Sequence, residues 1–328
     1  MRIFALAALP LLLALPATAQ EAPAPVTPSS VIAAAAPEEW VRIAAEDLLV
    51  MELAPDAAGQ PRTVVIQLIP PPFSQPWVEN IRTLARAHWW DETSVNRVQD
   101  NYVTQWGDAT EAKPLPDSLM DTQGRPFIAD FEDLDRPLVE ENLENAYEGM
   151  ADHRIAWLDG YSGFPRTGYY ADVEVWVDGW PIASDNELNV WPIHCYGYVG
   201  VGRNYAPDTG TGAELYTIIG QPQRHMDRNL AVVGRVIAGM QHLSSLPRGS
   251  GELGFYTEEE AHLRTSIMSV RLGSELPAPP AFEYLDTSSQ SFAQLVQVRA
   301  NRNDEFYTVS AGGVDICSVE VPIRRVHP

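Results

Sequence analysis

Basic residues are scarce in this sequence of 328 residues. It contains 22 lysines and arginines against 44 aspartates and glutamates, which gives a formal net charge of −22. Proteins that bind nucleic acid need a basic surface to meet the phosphates, and no lysine- or arginine-rich patch provides one here. The composition therefore excludes a nucleic-acid partner.

Motifs for metal and nucleotide binding are also missing. The two cysteines do not form a Cys-x-x-Cys pair, and none of the seven histidines has another four residues away. Dedicated zinc sites usually show such spacings. The sequence has neither a strand-to-helix glycine loop for phosphate nor a Gly-x-Ser-x-Gly nucleophile motif. These absences argue against a zinc site, a nucleotide-binding fold and a serine hydrolase.

Long hydrophobic runs are limited to the N-terminus. Arg2 is followed by an apolar stretch at residues 3–15 and then by Pro16 and small residues. This order is typical of a secretory signal peptide over residues 1–19, cleaved after Ala19 or Gln20, and the run is too short to span a membrane. An uncleaved anchor is the alternative. With cleavage we expect a periplasmic or secreted protein without a membrane segment, in surroundings where disulfides persist.

The pattern along the rest of the chain favours β structure. Residues 20–37 are rich in proline and alanine and predict a flexible lead-in, so folding is expected to begin near Glu38. Residues 48–53 and 63–68 flank a turn and predict a hairpin, while residues 75–89 carry apolar positions at helical spacing. Further short strand patterns recur up to residue 272. We therefore expect a mostly antiparallel β protein with two or three helices, which favours a barrel over a doubly wound sheet.

Two regions depart from this pattern. Residues 109–193 contain many acidic residues and prolines, and they predict no definite element. Residues 274–328 begin with a proline-rich break. In that tail, residues 292–299 and 306–310 flank Asn301-Arg302-Asn303-Asp304, which predicts a second hairpin.

Two segments carry motifs in a specific order. The first consists of residues 63–68 (TVVIQL), 76–85 (PWVENIRTLA) and 97–108 (RVQDNYVTQWGD). It resembles the cyclophilin-type peptidyl-prolyl isomerases, which have a strand, a Val-Glu-Asn-Phe-x-x-Leu helix and an Arg-x4-Phe-Met-x-Gln-x-Gly-Asp strand pair. The second consists of residues 212–218 (GAELYTI) and 226–240. It is similar to the family's Gly-Ser-Gln-Phe-Phe-Ile strand, Leu-Asp turn and Val-Phe-Gly-x-Val-x-x-Gly-Met segment.

The resemblance implies a fold and an activity. The fold would be mainly β: a closed eight-stranded antiparallel barrel capped by helices over residues 38–273, with a long acidic insertion at 109–193 and a C-terminal β extension at 274–328. The activity would be isomerisation of X-Pro bonds without a cofactor or a metal. Its partners would be proline-containing segments of unfolded or folding proteins. Together with the signal peptide, this predicts an isomerase that assists the folding of exported proteins.

The matched motif positions imply site residues. Arg97 matches the catalytic guanidinium, and Gln105 matches a residue that hydrogen-bonds the substrate backbone. The matched substrate-binding positions are Tyr102, Val103, Glu214, Tyr216, Met226 and Leu230. Rotating an amide costs about 18–20 kcal/mol because resonance is broken. A fixed arginine lowers this barrier if it donates a hydrogen bond to the prolyl nitrogen, which becomes pyramidal in the transition state.

Departures from the family pattern leave an alternative open. Glu214 occupies a glutamine position, and His225 and Leu230 occupy positions of tryptophan and histidine in well-studied members. The alternative function is a catalytically weak or inactive cyclophilin-like binding module. Arg97 would then be a surface strand arginine paired to an acid, and the pocket aromatics would be ordinary barrel core.

The two cysteines, Cys195 and Cys317, are expected to pair. An exported protein meets oxidising conditions, and no other cysteine competes for either thiol. The bond would tie the C-terminal extension to the strand that enters the second motif. Two buried free thiols are the alternative.

Overall fold

An eight-stranded antiparallel sheet dominates the computed structural model of this protein. The structure describes residues 26–125, 127–130, 157–158, 161–165, 171, 173–185, 189–303 and 306–326. The predicted signal peptide, residues 1–19, lies outside the described residues. In spatial order the strands of the large sheet are β15 (Ile267–Leu272), β2 (Leu48–Leu53), β3 (Arg62–Leu68), β14 (Val232–Ala238), β12 (Tyr198–Val201), β13 (Leu215–Ile218), β5 (Val103–Gly107) and β4 (Ser94–Val98).

The sheet closes nearly completely into a barrel. Its two outermost strands, β4 and β15, approach each other through an antiparallel bridge between Ser94 and Ser266. The backbone N–H of Ile267 also donates to the carbonyl of Thr93, at 2.9 Å. This confirms the predicted mainly β fold with an eight-stranded antiparallel barrel. Closure removes most of the exposed edge that an open sheet leaves unpaired.

Helix α2 (Gln75–Arg86) packs on the barrel as the sequence predicts. Pro76 lies in its first turn, where the missing N–H costs no hydrogen bond. The helix buries Trp77, Ile81 and Leu84 completely, each contributing about 1.5–3 kcal/mol by leaving water. The indole N–H of Trp77 donates to the carbonyl of Gly210 at 2.9 Å. The helix thereby holds the loop that leads into β13.

The acidic insertion contains a sheet that the sequence did not reveal. Its six strands, in spatial order, are β6 (Ala129–Asp130), β11 (Asn189–Pro192), β10 (Trp180–Ser184), β9 (Val173–Val177), β8 (Tyr161–Pro165) and β7 (Trp157–Leu158). Trp176, Trp180 and Trp191 on these strands are buried to at least 99%. These three tryptophans form an apolar core for the described part of the insertion.

A third sheet joins the two ends of the described chain. It consists of β1 (Trp40–Arg42), β16 (Phe282–Leu285) and β17 (Ile323–Arg325), with β16 in the centre. The C-terminal extension is therefore partly β, as predicted. A short helix, α3 (Gln241–Ser244), follows β14.

Two sequence predictions at the chain ends are wrong. Helix α1 (Pro28–Ala34) lies in the segment predicted to be a flexible lead-in, and its Val31 is buried. The segment predicted as the first strand of a tail hairpin belongs to α4 (Gln290–Ala300), and residues 306–310 form no strand. Helices α1 and α4 contact each other. Each therefore gives the other a surface on which to bury an apolar face.

No helix in the described part of the chain is long and apolar enough to cross a membrane.

Candidate active site

A cavity of about 760 Å³ lies along β4, β5 and β13 on one side of the barrel. The eight side chains that the family motifs imply all line it: Arg97, Tyr102, Val103, Gln105, Glu214, Tyr216, Met226 and Leu230. Strand register explains part of this convergence. Gln105 of β5 lies opposite Arg97 of β4 and opposite Tyr216 of β13, so three side chains distant in sequence become neighbours.

Arg97 is held by neutral oxygen atoms. Its Nε donates to the backbone carbonyl of Leu253 at 2.7 Å, one terminal nitrogen donates to Gln105 Oε1 at 3.1 Å, and the other donates to Gln99 Oε1 at 2.5 Å. The guanidinium also lies 5.4 Å from the ring centre of Tyr102 and 5.2 Å from that of Phe255, within cation–π range. These contacts fix its orientation without neutralising its charge.

No carboxylate of the described residues forms an ion pair with Arg97. The alternative of a surface arginine paired to an acid therefore finds no support in the contacts that the structure describes. Burial lowers the pKa of the guanidinium, and Tyr102 opposes part of that change. Because an arginine keeps its proton in proteins, the result is a cation that faces the cavity with unneutralised charge.

Apolar side chains form a pocket beside this guanidinium. Val103, Tyr216, Ile218 and Met226 make a separate buried cluster, and Tyr102 and Leu230 pack against it from partly buried positions. The exposed ring of His225 stacks on Tyr102 with 6.0 Å between ring centres. Such a pocket suits an apolar ring of modest size.

Glu214 lies where Gln105, Asn96 and Gly107 meet. Burial raises its pKa to about 7, opposed by hydrogen bonds from the side chains of Asn96 and Gln105. Asn96 Nδ2 donates to the carboxylate at 3.3 Å, while Asn96 Oδ1 is buried and has no partner. Gly107 makes room for this carboxylate, because a Cβ at position 107 would collide with it where it now lies.

Beneath the apolar pocket lies a line of five hydrogen-bonded polar side chains. We call this line the pocket relay, and its members are Tyr216, His194, Asp227, Arg224 and Glu174. The Tyr216 hydroxyl is 2.9 Å from His194 Nε2, and His194 Nδ1 is 2.8 Å from Asp227 Oδ1. Arg224 Nε donates to Asp227 Oδ2 at 2.7 Å, and a terminal nitrogen of Arg224 donates to Glu174 Oε1 at 2.6 Å. Glu174 is on β9, so the relay joins the pocket to the insertion sheet.

Several residues of the cavity and of the pocket relay were not anticipated from the sequence. Leu253 and Phe255 come from a loop more than 150 residues after Arg97, and the backbone at Phe255 forms a bridge with Arg97. His194, Arg224 and Glu174 carry no local motif that marks them. Of the relay residues, only Tyr216 and Asp227 lie in the family motifs, which are the strand at 212–218 and the Leu-Asp turn. Contacts between distant segments leave no periodic signal in a single sequence.

The disulfide lies close to the relay. Cys195 and Cys317 are bonded to each other, with 5.2 Å between their Cα atoms. Cys195 directly follows His194, so the bond links the C-terminal extension to the segment that carries the relay. This is the pairing expected from the sequence.

Potential metal ligands do not converge anywhere in the described ranges. No group of three or more histidine, cysteine, aspartate or glutamate side chains there is arranged to hold an ion.

Comparisons with known proteins agree with this geometry. The family model "Cyclophilin type peptidyl-prolyl cis-trans isomerase/CLD" matches residues 73–270. A cyclophilin crystal structure from Hirschia baltica superposes with a TM-score of 0.57 at 20% identity, covering 92% of this chain and 98% of that one. A cyclophilin-type isomerase structure from Cryptosporidium parvum gives a TM-score of 0.35 at 11% identity, covering 69% and 96%. No curated protein sequence matches the chain significantly.

Proposed function

This chain belongs to the cyclophilin-type peptidyl-prolyl cis-trans isomerase family and is a peptidyl-prolyl isomerase, and from that premise we propose that Arg97 catalyses the rotation of X-Pro bonds in exported proteins. The observation that carries this proposal is the position of Arg97. It is a fixed cation without a carboxylate partner among the described residues, and it stands at the edge of an apolar pocket.

The proposed mechanism follows from amide chemistry. The prolyl ring enters the pocket formed by Val103, Tyr216 and Met226, with Tyr102 and Leu230 at its rim. As the X-Pro bond twists, resonance is lost and the prolyl nitrogen becomes a better hydrogen-bond acceptor. The guanidinium of Arg97 then donates to that nitrogen more strongly than it does to the planar amide. This difference lowers the barrier for both directions of rotation.

Gln105 has an orienting role in this proposal. Its Oε1 accepts a hydrogen bond from Arg97, which leaves the amide NH₂ group to be shared with Glu214 or with the backbone of a bound peptide. A neutral amide at this position holds the guanidinium without removing its charge. The reaction needs neither proton transfer nor a covalent intermediate.

The proposed substrates are proline-containing segments of proteins that fold after export. The N-terminal apolar run supports export to the periplasm or beyond, and X-Pro isomerisation takes tens of seconds without a catalyst. Such slow steps limit folding, so an isomerase in the same compartment assists it. Fractionation of cells that express the full chain tests the location, since a cytoplasmic product of full length would contradict export.

The alternative is a catalytically weak or inactive protein-binding module. One observation favours it: Glu214 takes a position that is glutamine in the family pattern, and the Gln105 side chain lies close enough to lower the pKa of this carboxyl group. When ionised, this carboxylate competes with the substrate for the Gln105 amide. The sheet of the insertion and the C-terminal extension would then supply the binding surface.

A protease-coupled assay on an Ala-Pro peptide separates the two functions. A hydrogen bond from a charged donor is worth about 1.5–3 kcal/mol, so Arg97→Ala is expected to lower kcat/KM roughly ten- to a hundredfold. The matched control is Arg324→Ala, which removes an arginine that pairs with Glu283 on the three-stranded sheet. It should leave the rate unchanged. Equal, slow rates for the wild type and a folded Arg97→Ala variant would refute catalysis by Arg97.

A further inference from the structure

The pocket relay is a continuous series of hydrogen bonds from Tyr216 to Glu174. The Asp227 carboxylate can only accept, and its Oδ1 receives the backbone N–H of His194 at 3.0 Å as well as the ring Nδ1–H. His194 Nε2 is then the ring nitrogen that faces the Tyr216 hydroxyl, at 2.9 Å. Burial raises the pKa of the Tyr216 phenol well above its ordinary value, so the phenol keeps its proton while its oxygen is hydrogen-bonded to Nε2.

The far end of the relay is a buried ion-pair group. Burial lowers the pKa of Arg224, but the carboxylates of Glu174 and Asp227 more than compensate, so its pKa lies above the ordinary value. The side chains of Arg224, Asp227 and Glu174 are 10%, 3% and 15% exposed. Removing one partner from such a group leaves a charge that neither water nor protein fully stabilises.

The relay touches two walls of the proline pocket. Tyr216 forms one wall with its ring, and its hydroxyl is the first member of the relay. Met226 forms another wall, and the next residue in the chain is Asp227. A side chain at position 200 would collide with the Tyr216 hydroxyl, so Gly200 makes room for this contact. The spacing between the two walls thus depends on hydrogen bonds that lie outside the cavity.

We propose that the pocket relay positions Tyr216 and Met226 for the prolyl ring, and that the insertion sheet anchors this arrangement through Glu174. His194, Arg224 and Glu174 are positioning residues, because none of them lines the cavity. The insertion then acts on substrate fit without touching the substrate. This inference rests on the proposed function of the same site, and it assigns the insertion a part in that function.

Kinetics of Glu174 variants test the proposal. Glu174→Ala should raise KM for the Ala-Pro peptide about three- to tenfold, the range for one lost hydrogen bond, and should change kcat less than twofold. Glu174→Gln keeps an acceptor for Arg224 and should recover most of the affinity. The matched control is Glu283→Ala, which breaks the ion pair between Glu283 and Arg324. The nitrogen and oxygen atoms of this pair are 2.9 Å apart, and neither residue lines the cavity. Its KM should equal that of the wild type.

A second variant and a second measurement test the proposal even if Glu174→Ala does not fold. Tyr216→Phe removes only the hydroxyl and leaves the ring, so it should raise KM to a similar extent even if Glu174→Ala fails to fold. The dissociation constant of the peptide, measured by fluorescence titration, should rise in parallel. Reduced stability towards urea with unchanged KM and unchanged dissociation constant in both variants would overturn the relay and leave only a structural role.

The wild-type measurements separate this proposal from the proposed function. If the wild type isomerises the peptide and both variants keep its KM, the relay fails and the catalytic function stands. If the wild type binds the peptide without isomerising it, catalysis fails, and the dissociation constants of the variants then decide on the relay. A wild type that neither binds nor isomerises the peptide would overturn both.

Discussion

Replacing Glu214 by glutamine should change the pH dependence of stability. Burial raises the pKa of Glu214 from 4.5 to about 7. The folded protein therefore holds this proton more tightly than the unfolded chain does, and stability falls as pH rises from the unfolded pKa to the folded one. Each pKa unit is worth about 1.4 kcal/mol, so the ionised carboxylate costs about 3 kcal/mol of folding free energy above pH 7.

The expected result is a difference that grows with pH. Glutamine has the shape of the neutral acid, and its NH₂ group can donate to Asn96 Oδ1, which has no partner in the structure. The free energy of unfolding of Glu214→Gln minus that of the wild type should increase by about 2.5 kcal/mol between pH 5 and pH 8, mostly below pH 7. Urea denaturation with the disulfide intact, at four pH values, measures this difference.

Glu39→Gln is the matched control. Burial tends to raise the pKa of Glu39, but hydrogen bonds from Ser291 and Ala36 outweigh it, so the pKa is lowered. The stability that Glu39 contributes is fully present above its unfolded pKa and is lost only as pH falls through the folded one. Its difference from the wild type should therefore stay flat between pH 5 and pH 8. A flat difference for Glu214→Gln as well would refute the argument that burial perturbs this carboxyl group.

The same variant bears on catalysis. A neutral side chain at position 214 no longer draws the Gln105 amide towards a negative charge, so kcat/KM should stay the same or rise at pH 8. A clear fall would mean that the carboxylate itself contributes to substrate binding.

Three further predictions concern the framework around the site. Thiol labelling of the unfolded, unreduced chain should find no free thiol, and reduction of the Cys195–Cys317 bond, with its separation of 122 residues, should lower stability by about 4–5 kcal/mol in urea denaturation. Gly200→Ala should cost about 1–3 kcal/mol, since the new methyl group meets the Tyr216 hydroxyl, and unchanged stability would show that the ring moves aside. Val31→Ala should cost about 1.5 kcal/mol by the same measurement, whereas a flexible lead-in would show no loss.

Local sequence patterns determined most of the barrel. The hairpin of β2 and β3 and helix α2 were predicted close to their actual bounds, because each depends on the spacing of apolar residues within one segment. The strand pair β4–β5 agrees with what the family motif at residues 97–108 implies. The motif spacing also identified Arg97 and Gln105 as candidates before their register was known. Arg97 and Gln105 lie opposite each other because β4 and β5 pair in antiparallel fashion. The short connection between the two strands makes this pairing predictable.

The tail shows where local patterns mislead. Residues 292–299 alternate enough to suggest a strand, yet Phe292, Leu295 and Val296 also recur at helical spacing and are buried in α4. The Ser289 side chain accepts a hydrogen bond from the N–H of Phe292 and caps this helix. This segment also contacts α1, a helix that the sequence did not predict, and that contact favours the helix over the strand.

The chemical environment of the site was decided by tertiary structure alone. His194 is 22 residues from Tyr216 and 33 from Asp227, and Glu174 is 50 residues from Arg224. Charges, hydrogen bonds and pKa values depend on which groups are brought within a few ångströms and on how much water is excluded. The sequence by itself determined the hairpin of β2 and β3, helix α2 and, through the family motif, which arginine is the catalytic candidate. Only the folded chain determined that this arginine has no acid partner among the described residues, that Glu214 is partly desolvated, and that the insertion is hydrogen-bonded to the pocket relay through Glu174.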